Sequence, residues 1–392
     1  MKHRAWWLAT LVLAIAALGI YWWQDLATAA GSIATPASGA AASAQAENSS
    51  AGQGIAAAGS PAGSHNLWQE RYNRAAQTFN SYRDATRYPP GSRPLQEHPD
   101  QERPFDPITE DRVLLGNAGK IAKGMHLRTS QERVFLSGEE SVAFSLHAVD
   151  DDGVRLPLSI RRAYAVNIAE NKSSNSLLQA EVPFADDGQA PDARAGDGQY
   201  SARLTPYKQG FSTYSGTIRL YAQVNVNGEN GEATFDVVYT PDVPATWLGI
   251  REALESGSLN FYLKAQVLTP GRYVVSARVQ DAKGKPFALL QYNDEITAGS
   301  REFKLQLFGA LVRDVNPTFP LQLTDVEGFL LKPDVFPDRA MMARRPGAVY
   351  TTGNYQTGQF SSAEWTSEER ERYLQEYRAD MERARQQLEA QP

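Results

Sequence analysis

The densest set of side chains able to do chemistry lies in DDGQAPDARAGDGQYSARL, residues 186–204. Asp186, Asp187, Asp192 and Asp197 fall close together there, with Gly188, Gly196 and Gly198 between them. Hard cations such as calcium take about six to eight oxygens, and a glycine-rich loop can wrap carboxylates and carbonyls around one ion. The spacing departs from an EF-hand, whose ligands stand at alternate positions and end in a bidentate Glu. The same residues also suit two tight turns flanking a short connection, because Asp and Gly have the right turn geometry. Turns are the preferred reading and calcium the retained alternative, with no other cofactor implied. Asp150, Asp151 and Asp152 before Gly153 read as a hairpin turn, able to join the first loop at a metal only if both lie at one end of a domain.

Other chemistry is sparse. Cysteine is absent, which excludes disulfides, thiolate nucleophiles and Cys-based zinc sites. The five histidines, His3, His65, His98, His126 and His147, are scattered, none near another at metal-ligand spacing. His126 and His147 read as surface residues. There is no Gly-x-Ser-x-Gly elbow, no His-Glu-x-x-His, no phosphate loop and no dinucleotide fingerprint. The expectation is therefore a protein that is not an enzyme. Net charge is −6, and the doublets Arg161–Arg162 and Arg344–Arg345 are isolated, so no basic stripe points to nucleic acid.

The elements that must position these residues begin with an address. Lys2, His3 and Arg4 precede an apolar run over residues 5–23, close to the roughly 20 residues that cross a bilayer as a helix. Trp6 and Trp7 sit at one end, and Tyr21, Trp22 and Trp23 at the other, where amphipathic rings favour the two interfaces. No Lys or Arg recurs before Arg71, so the positive-inside rule keeps the N-terminus cytoplasmic and exports the rest. A transmembrane anchor over 1–24 is preferred to a cleaved signal peptide, although Ala27-Thr28-Ala29 resembles a cleavage site. Residues 25–64 are mostly Ala, Gly and Ser, too apolar-poor to offset ordering entropy, and read as a disordered tether.

Residues 65–115 read as a helix followed by a proline-rich strap. Asn66 with Gln69 makes a capping pair, and Trp68, Tyr72, Ala75, Phe79 and Tyr82 fall on one helical stripe. The helix stops at Tyr88-Pro89-Pro90, and the prolines through Pro107 demand extended chain. That stretch is either a strap over a domain, which would bury Leu95 and Phe105, or a docking peptide. Period-two alternation then sets in at Val142, Phe144, Leu146 and Ala148, and again from Ile218 to Val226, with residues 227–231 turning the chain. This predicts a first β-sandwich over 116–242. A boundary over 241–258 leads to a second over 243–335, carried by alternation at Leu259, Phe261 and Leu263, at Tyr273, Val275 and Ala277, and at Phe303, Leu305 and Leu307. Residues 336–392 read as an irregular tail and an amphipathic helix. There Thr366 and Glu369 form a capping box, and Leu374, Tyr377, Met381, Ala384 and Leu388 a short heptad seam. So short a helix must lie on something: a sandwich, the Trp68–Tyr82 helix, or another protomer. Packing within the chain is preferred.

Two stretches carry a resemblance. Residues 186–204, and residues 270–330 with PGRYVVSARVQDAKGKPFALL, a Gly-Ala-Leu-Val strand and TDVEGFLL, are similar to modules of bacterial exported proteins with choice-of-anchor X and related immunoglobulin-like domains. The resemblance covers about the central half of the chain. It implies export, β-sandwich architecture and an extracytoplasmic role, and no common activity. The fold expected is mainly β: tandem immunoglobulin-like sandwiches, an N-terminal transmembrane helix, a disordered tether and short flanking helices. The function expected is that of a single-pass protein of the bacterial inner membrane, its domains periplasmic, binding another envelope protein or itself. Tyr88, Pro89, Pro90, Tyr377, Met381 and Leu388 are the candidate partner contacts. An accessory or hydrolytic protein acting on envelope polysaccharide is the alternative.

Overall fold

The computed structural model describes residues 61–116, 121–168 and 177–390. The expected membrane segment 5–23 and most of the tether lie outside them, and among the described residues no helix is long and apolar enough to cross a membrane. The described chain is mainly β, built from antiparallel sheets with helices at its two ends.

Helix α1 spans Pro61–Ala85 and so starts earlier than the Asn66–Gln69 pair predicts. Gln69 instead donates to Asn73 one turn on, at 3.0 Å. The predicted stripe Trp68, Tyr72, Ala75, Phe79 and Tyr82 is half-buried. The helix ends where Thr86 turns its hydroxyl onto the Tyr82 carbonyl at 2.6 Å, ahead of the two prolines. The strap follows, with strand β1 (Ser92–Pro94) and a 3-10 turn that buries Leu95. It stops sooner than residue 115, because Ile108–Leu115 is already strand β2.

The first β unit continues with β3 (Ile121–Gln131), β4 (Phe135–Ser137), β5 (Val142–Val149), β6 (Arg155–Leu156), β7 (Leu158–Asn167), β8 (Gln179–Glu181), β9 (Tyr200–Leu204), β10 (Gly216–Val226) and β11 (Glu229–Thr240). One sheet runs β2-β3-β5-β6 with β9 also on β5; the other runs β4-β11-β10-β7-β8, with β4 parallel to β11. The alternation read from sequence is the inward face. Val142, Phe144, Leu146, Ile218, Leu220 and Val224 are buried in one core between the sheets. The β10–β11 connection is tighter than the predicted turn over 227–231. Asn227 and Gly228 both take positive φ, as a two-residue type I′ turn requires, and the next strand resumes at once.

The second unit comprises β12 (Ala245–Glu255), β13 (Ser258–Val267), β14 (Gly271–Gln280), β15 (Pro286–Ile296), β16 (Gly299–Leu307), helix α2 (Gly309–Val315), β17 (Gln322–Leu331), β18 (Arg339–Met341) and β19 (Arg345–Thr351). Three sequence expectations fail here. The boundary over 241–258 holds strand β12, whose register slips between Trp247 and Gly249; that bulge breaks the alternation that would have revealed it. The Gly-Ala-Leu-Val strand is helix α2, with Ala310, Leu311 and Val312 buried and Asn316 closing it at φ 50. The tail from 336 is not irregular throughout, because β18 and β19 both pair with β17 and complete the sheet.

Leaving aside β2, β4 and β6 in the first unit and β18 in the second, the two units share one order. In each, the first, second and fifth strands form one sheet (β3-β5-β9; β12-β13-β16). The fourth, third, sixth and seventh form the other (β8-β7-β10-β11; β15-β14-β17-β19). Helix α3 (Glu368–Glu389) ends the described chain. Its N-cap is Ser367, accepting from the Arg370 N–H, one residue beyond the predicted Thr366. Its stripe lies on α1, where Tyr82 meets Tyr373 at 5.7 Å and Tyr377 at 5.2 Å edge-on. Of the three supports open to this helix, the matching helix of the same chain is the one used.

Candidate functional site

The acidic loop connects β8 to β9. Asp186, Asp192 and Asp197 are drawn together there, each offering an oxygen within 4.8 Å of the others. Asp187 is not among them; its Oδ1 accepts from the Gln189 N–H at 2.9 Å. The three carboxylates are also turn acceptors. Asp186 takes the N–H groups of Asp197 at 3.2 Å and Gly198 at 2.9 Å. Buried Asp192 takes that of Gly188 at 2.6 Å, and Asp197 that of Gln199 at 2.9 Å. Gly188 is needed at φ 71, because a Cβ there would sit 3.0 Å from the Ala195 nitrogen. Backbone donors therefore meet the oxygens that calcium would share, which is the geometry of side-chain-closed turns. Asp151 does not join the group.

Asp151 serves His126 instead. This histidine stands on β3, with Nδ1 2.9 Å from Asp111 and Nε2 3.1 Å from Asp151. With a carboxylate at each ring nitrogen, both nitrogens are donors when the ring is cationic. The Asp111 and Asp151 hydrogen bonds accordingly raise its pKa, and Arg128 and His126 lower that of Asp111. Arg128 reaches the second Asp111 oxygen at 2.8 Å. This triad leaves no local trace in the sequence, because its members come from β2, β3 and the turn after β5 and meet only when those three are paired. His147, on β5, is shifted the other way, down, by burial and then by Arg155 and Arg128.

Apart from exposed Pro90, the candidate partner contacts pack within the chain. Tyr88 packs on the second core and donates to Asp314 at 2.7 Å, and burial followed by that carboxylate pushes its pKa up to about 12. Pro89 gives its carbonyl to the Ser92 N–H at 3.0 Å, and Pro90 is exposed. Arg87 pairs with both Asp314 (2.8 Å) and Glu364 (2.7 Å). Buried Arg370 of α3 reaches Glu364 at 2.6 Å and Thr86 at 3.0 Å. One knot thus joins the end of α1, helix α2 and the start of α3. Tyr377 is in the seam on Tyr82, and Met381 and Leu388 are half-buried along the same stripe. Guanidiniums close its rims: Arg71 over Trp68, Arg378 over Phe79 and Arg372 over Tyr373.

The strap is structural as well. Strand β1 pairs with β15, and the Ser92 hydroxyl accepts from the Phe308 N–H at 2.9 Å. Arg278 on β14, 1% exposed, donates to the Gln101 carbonyl at 2.9 Å and its side-chain oxygen at 2.5 Å, and to the Asp325 carbonyl at 3.0 Å. Glu327 lies 3.3 Å away as counter-ion. Burial lowers the pKa of this arginine, so the strap and Glu327 together are what make its interior position tolerable. An open groove of about 410 Å³ lies beside Trp247, Leu248 and Arg345, its floor fixed by the indole N–H on the Ala343 carbonyl at 2.8 Å.

No protein-family model matches the chain, and no curated protein matches it. Among solved structures it is similar to a DUF4785 family protein from Legionella pneumophila, 10% identical over 58% of this chain and 57% of that one, with a TM-score of 0.39. It is also similar to dimeric latent PorU from Porphyromonas gingivalis, at 10% identity, 61% and 34% coverage and a TM-score of 0.17. A third is the apo form of Bacteroides uniformis beta-glucuronidase 3, at 8%, 62% and 25%, with a TM-score of 0.16. This chain spans 57% of the first protein's length and less of the other two.

Proposed function

We propose that this chain is a membrane-anchored binding or scaffold protein of the bacterial cell envelope, non-catalytic, with its β units in the periplasm. The β units are read as immunoglobulin-like sandwiches. What supports that reading is the strand order shared by both units, with the first, second and fifth strands facing the other four. The anchor rests on the apolar run 5–23 and its flanking charge.

The observation that carries the scaffold reading is where the two helices go. The helix that follows the tether and the helix near the other end of the chain are clasped together at the Arg87–Asp314–Glu364–Arg370 knot on the second unit. The second unit is then a base that takes the link from the tether, and the first unit is a head left to meet a partner. The test is extraction of native membranes with alkaline carbonate, with mass spectrometry of the retained chain. Retention of a chain that includes residues 5–23, with a defined co-purifying set lost when the head is removed, is the expected result. A chain washed free and beginning near Ala30 would overturn the anchored reading.

A further inference from the structure

Strand β2 stands at the end of its sheet, paired with β3 alone among the described residues. Ile108 through Val113 are exposed on both faces of the strand. Large apolar side chains are among them: Ile108 is 47% exposed, Val113 41%, and Leu115 beyond them 58%. An open edge of this kind offers a row of backbone donors and acceptors to another strand. Its charges decide which strand fits. Glu110 and Arg112 lie on one face, in contact at 2.5 Å, on either side of Asp111.

We propose that β2 pairs antiparallel with β2 of a second copy, about a two-fold axis through Asp111. Such an axis, perpendicular to the sheet, keeps each face on its own side, so the numbers of residues opposite each other must add to an even sum. Centring on Asp111 sets Glu110 opposite the second copy's Arg112, twice over, and Thr109 opposite its Val113. Centring on Glu110 sets two Glu110 side chains face to face, and centring on Arg112 does the same for two arginines. Each of these registers sets one like pair at its axis, but only the Asp111-centred one adds two unlike Glu110–Arg112 pairs, and unlike charges directly opposite stabilise a pair. The two Asp111 carboxylates that meet at the axis each bring a cation, the Arg128 guanidinium at 2.8 Å, and each shares a hydrogen bond with its own His126 at 2.9 Å. The pairing would join two heads through one continuous sheet and leave both bases unobstructed.

The chain has no cysteine, which makes the register directly readable. Single cysteines are introduced into the full chain in its native membrane as Thr109→Cys, Asp111→Cys and Val113→Cys, followed by mild oxidation. The expected result is a covalent dimer from Asp111→Cys alone, and a mixed dimer when the Thr109→Cys and Val113→Cys chains are co-expressed. Independently, Glu110→Arg or Arg112→Glu should each weaken self-association about tenfold, and the double swap should restore it. Equal cross-linking at all three positions, none at any, or a double swap no better than the single changes would overturn the proposal.

Discussion

The two β units share a strand order and differ in what is laid over them. The second carries the strap, the α1–α3 helix pair and a buried arginine that reaches out to the strap. The first carries none of these, and its β2–β3 hairpin leaves Ile108, Val113, Leu115 and Ile121 in solvent. The same sheet order is thus used once as a platform that absorbs the chain's own flanking segments, and once with an edge left open. The contact between the units includes the Met341 N–H on the Ser137 hydroxyl at 2.8 Å and Arg339 stacked on Phe135.

The comparison breaks first at Arg278. Arg278→Ala takes the guanidinium from the Gln101 carbonyl and leaves Glu327 with the Ser276 hydroxyl in place of its counter-ion, at a cost of about 3–5 kcal/mol. The base transition measured by calorimetry should fall, and proteases should cut in the strap. Arg278→Met should restore part of the stability and none of the strap protection, a split that a purely apolar core position would not give. In the first unit, Phe144→Ala removes a buried ring that lies tilted on Phe235, costing about 3–5 kcal/mol. That change should lower one transition and leave the base's own unmoved. One shared transition, shifted equally by both variants, would end the division into base and head.

Smaller effects sharpen it. Asp192→Ala removes a buried acceptor and should cost the head about 1–3 kcal/mol, followed by denaturant titration. If the loop is only a set of turns, millimolar calcium or a chelator leaves that value unchanged; a calcium-dependent rise in melting temperature would make the three carboxylates a metal site. The least expected effect is in the histidines. His126 has a raised folded pKa, so its contribution is full below the ordinary value near 6.5 and is lost as pH rises through the raised one. His147 has a lowered one, so the head loses stability as pH falls from 6.5 toward that lower value. NMR titration of both rings should show the two shifts in opposite directions, and Asp151→Asn should bring His126 back toward 6.5.

Legibility followed burial geometry. Where one face of a strand lies in the core along its length, as at Val142–Ala148 or Leu259–Val267, period two is visible in the sequence; at β7, where only the second half is buried, it is not. It was lost wherever that relation failed. Strand β12 carries a bulge, β2 is exposed on both faces, and β18 and β19 are short pieces sharing one neighbour. The helix stripe and its partner were both legible, because three-four spacing survives without a known neighbour. The acidic loop was readable as residues, and the assembly of three of its four aspartates was not, since a turn's closure is set by backbone N–H groups that any residue supplies. The Arg278–Gln101 link joins positions far apart in sequence and leaves no local trace.

The central claim, that the strap and helices α1 and α3 belong with the second unit rather than the first, is tested most directly by hydrogen exchange with mass spectrometry on the full chain. The account predicts that amides of residues 92–95, of α1 near Tyr82 and of α3 exchange together with the second unit, on a course separate from that of β5 and β10. Fast, independent exchange of the strap and helices, or one common course for the entire chain, would contradict it.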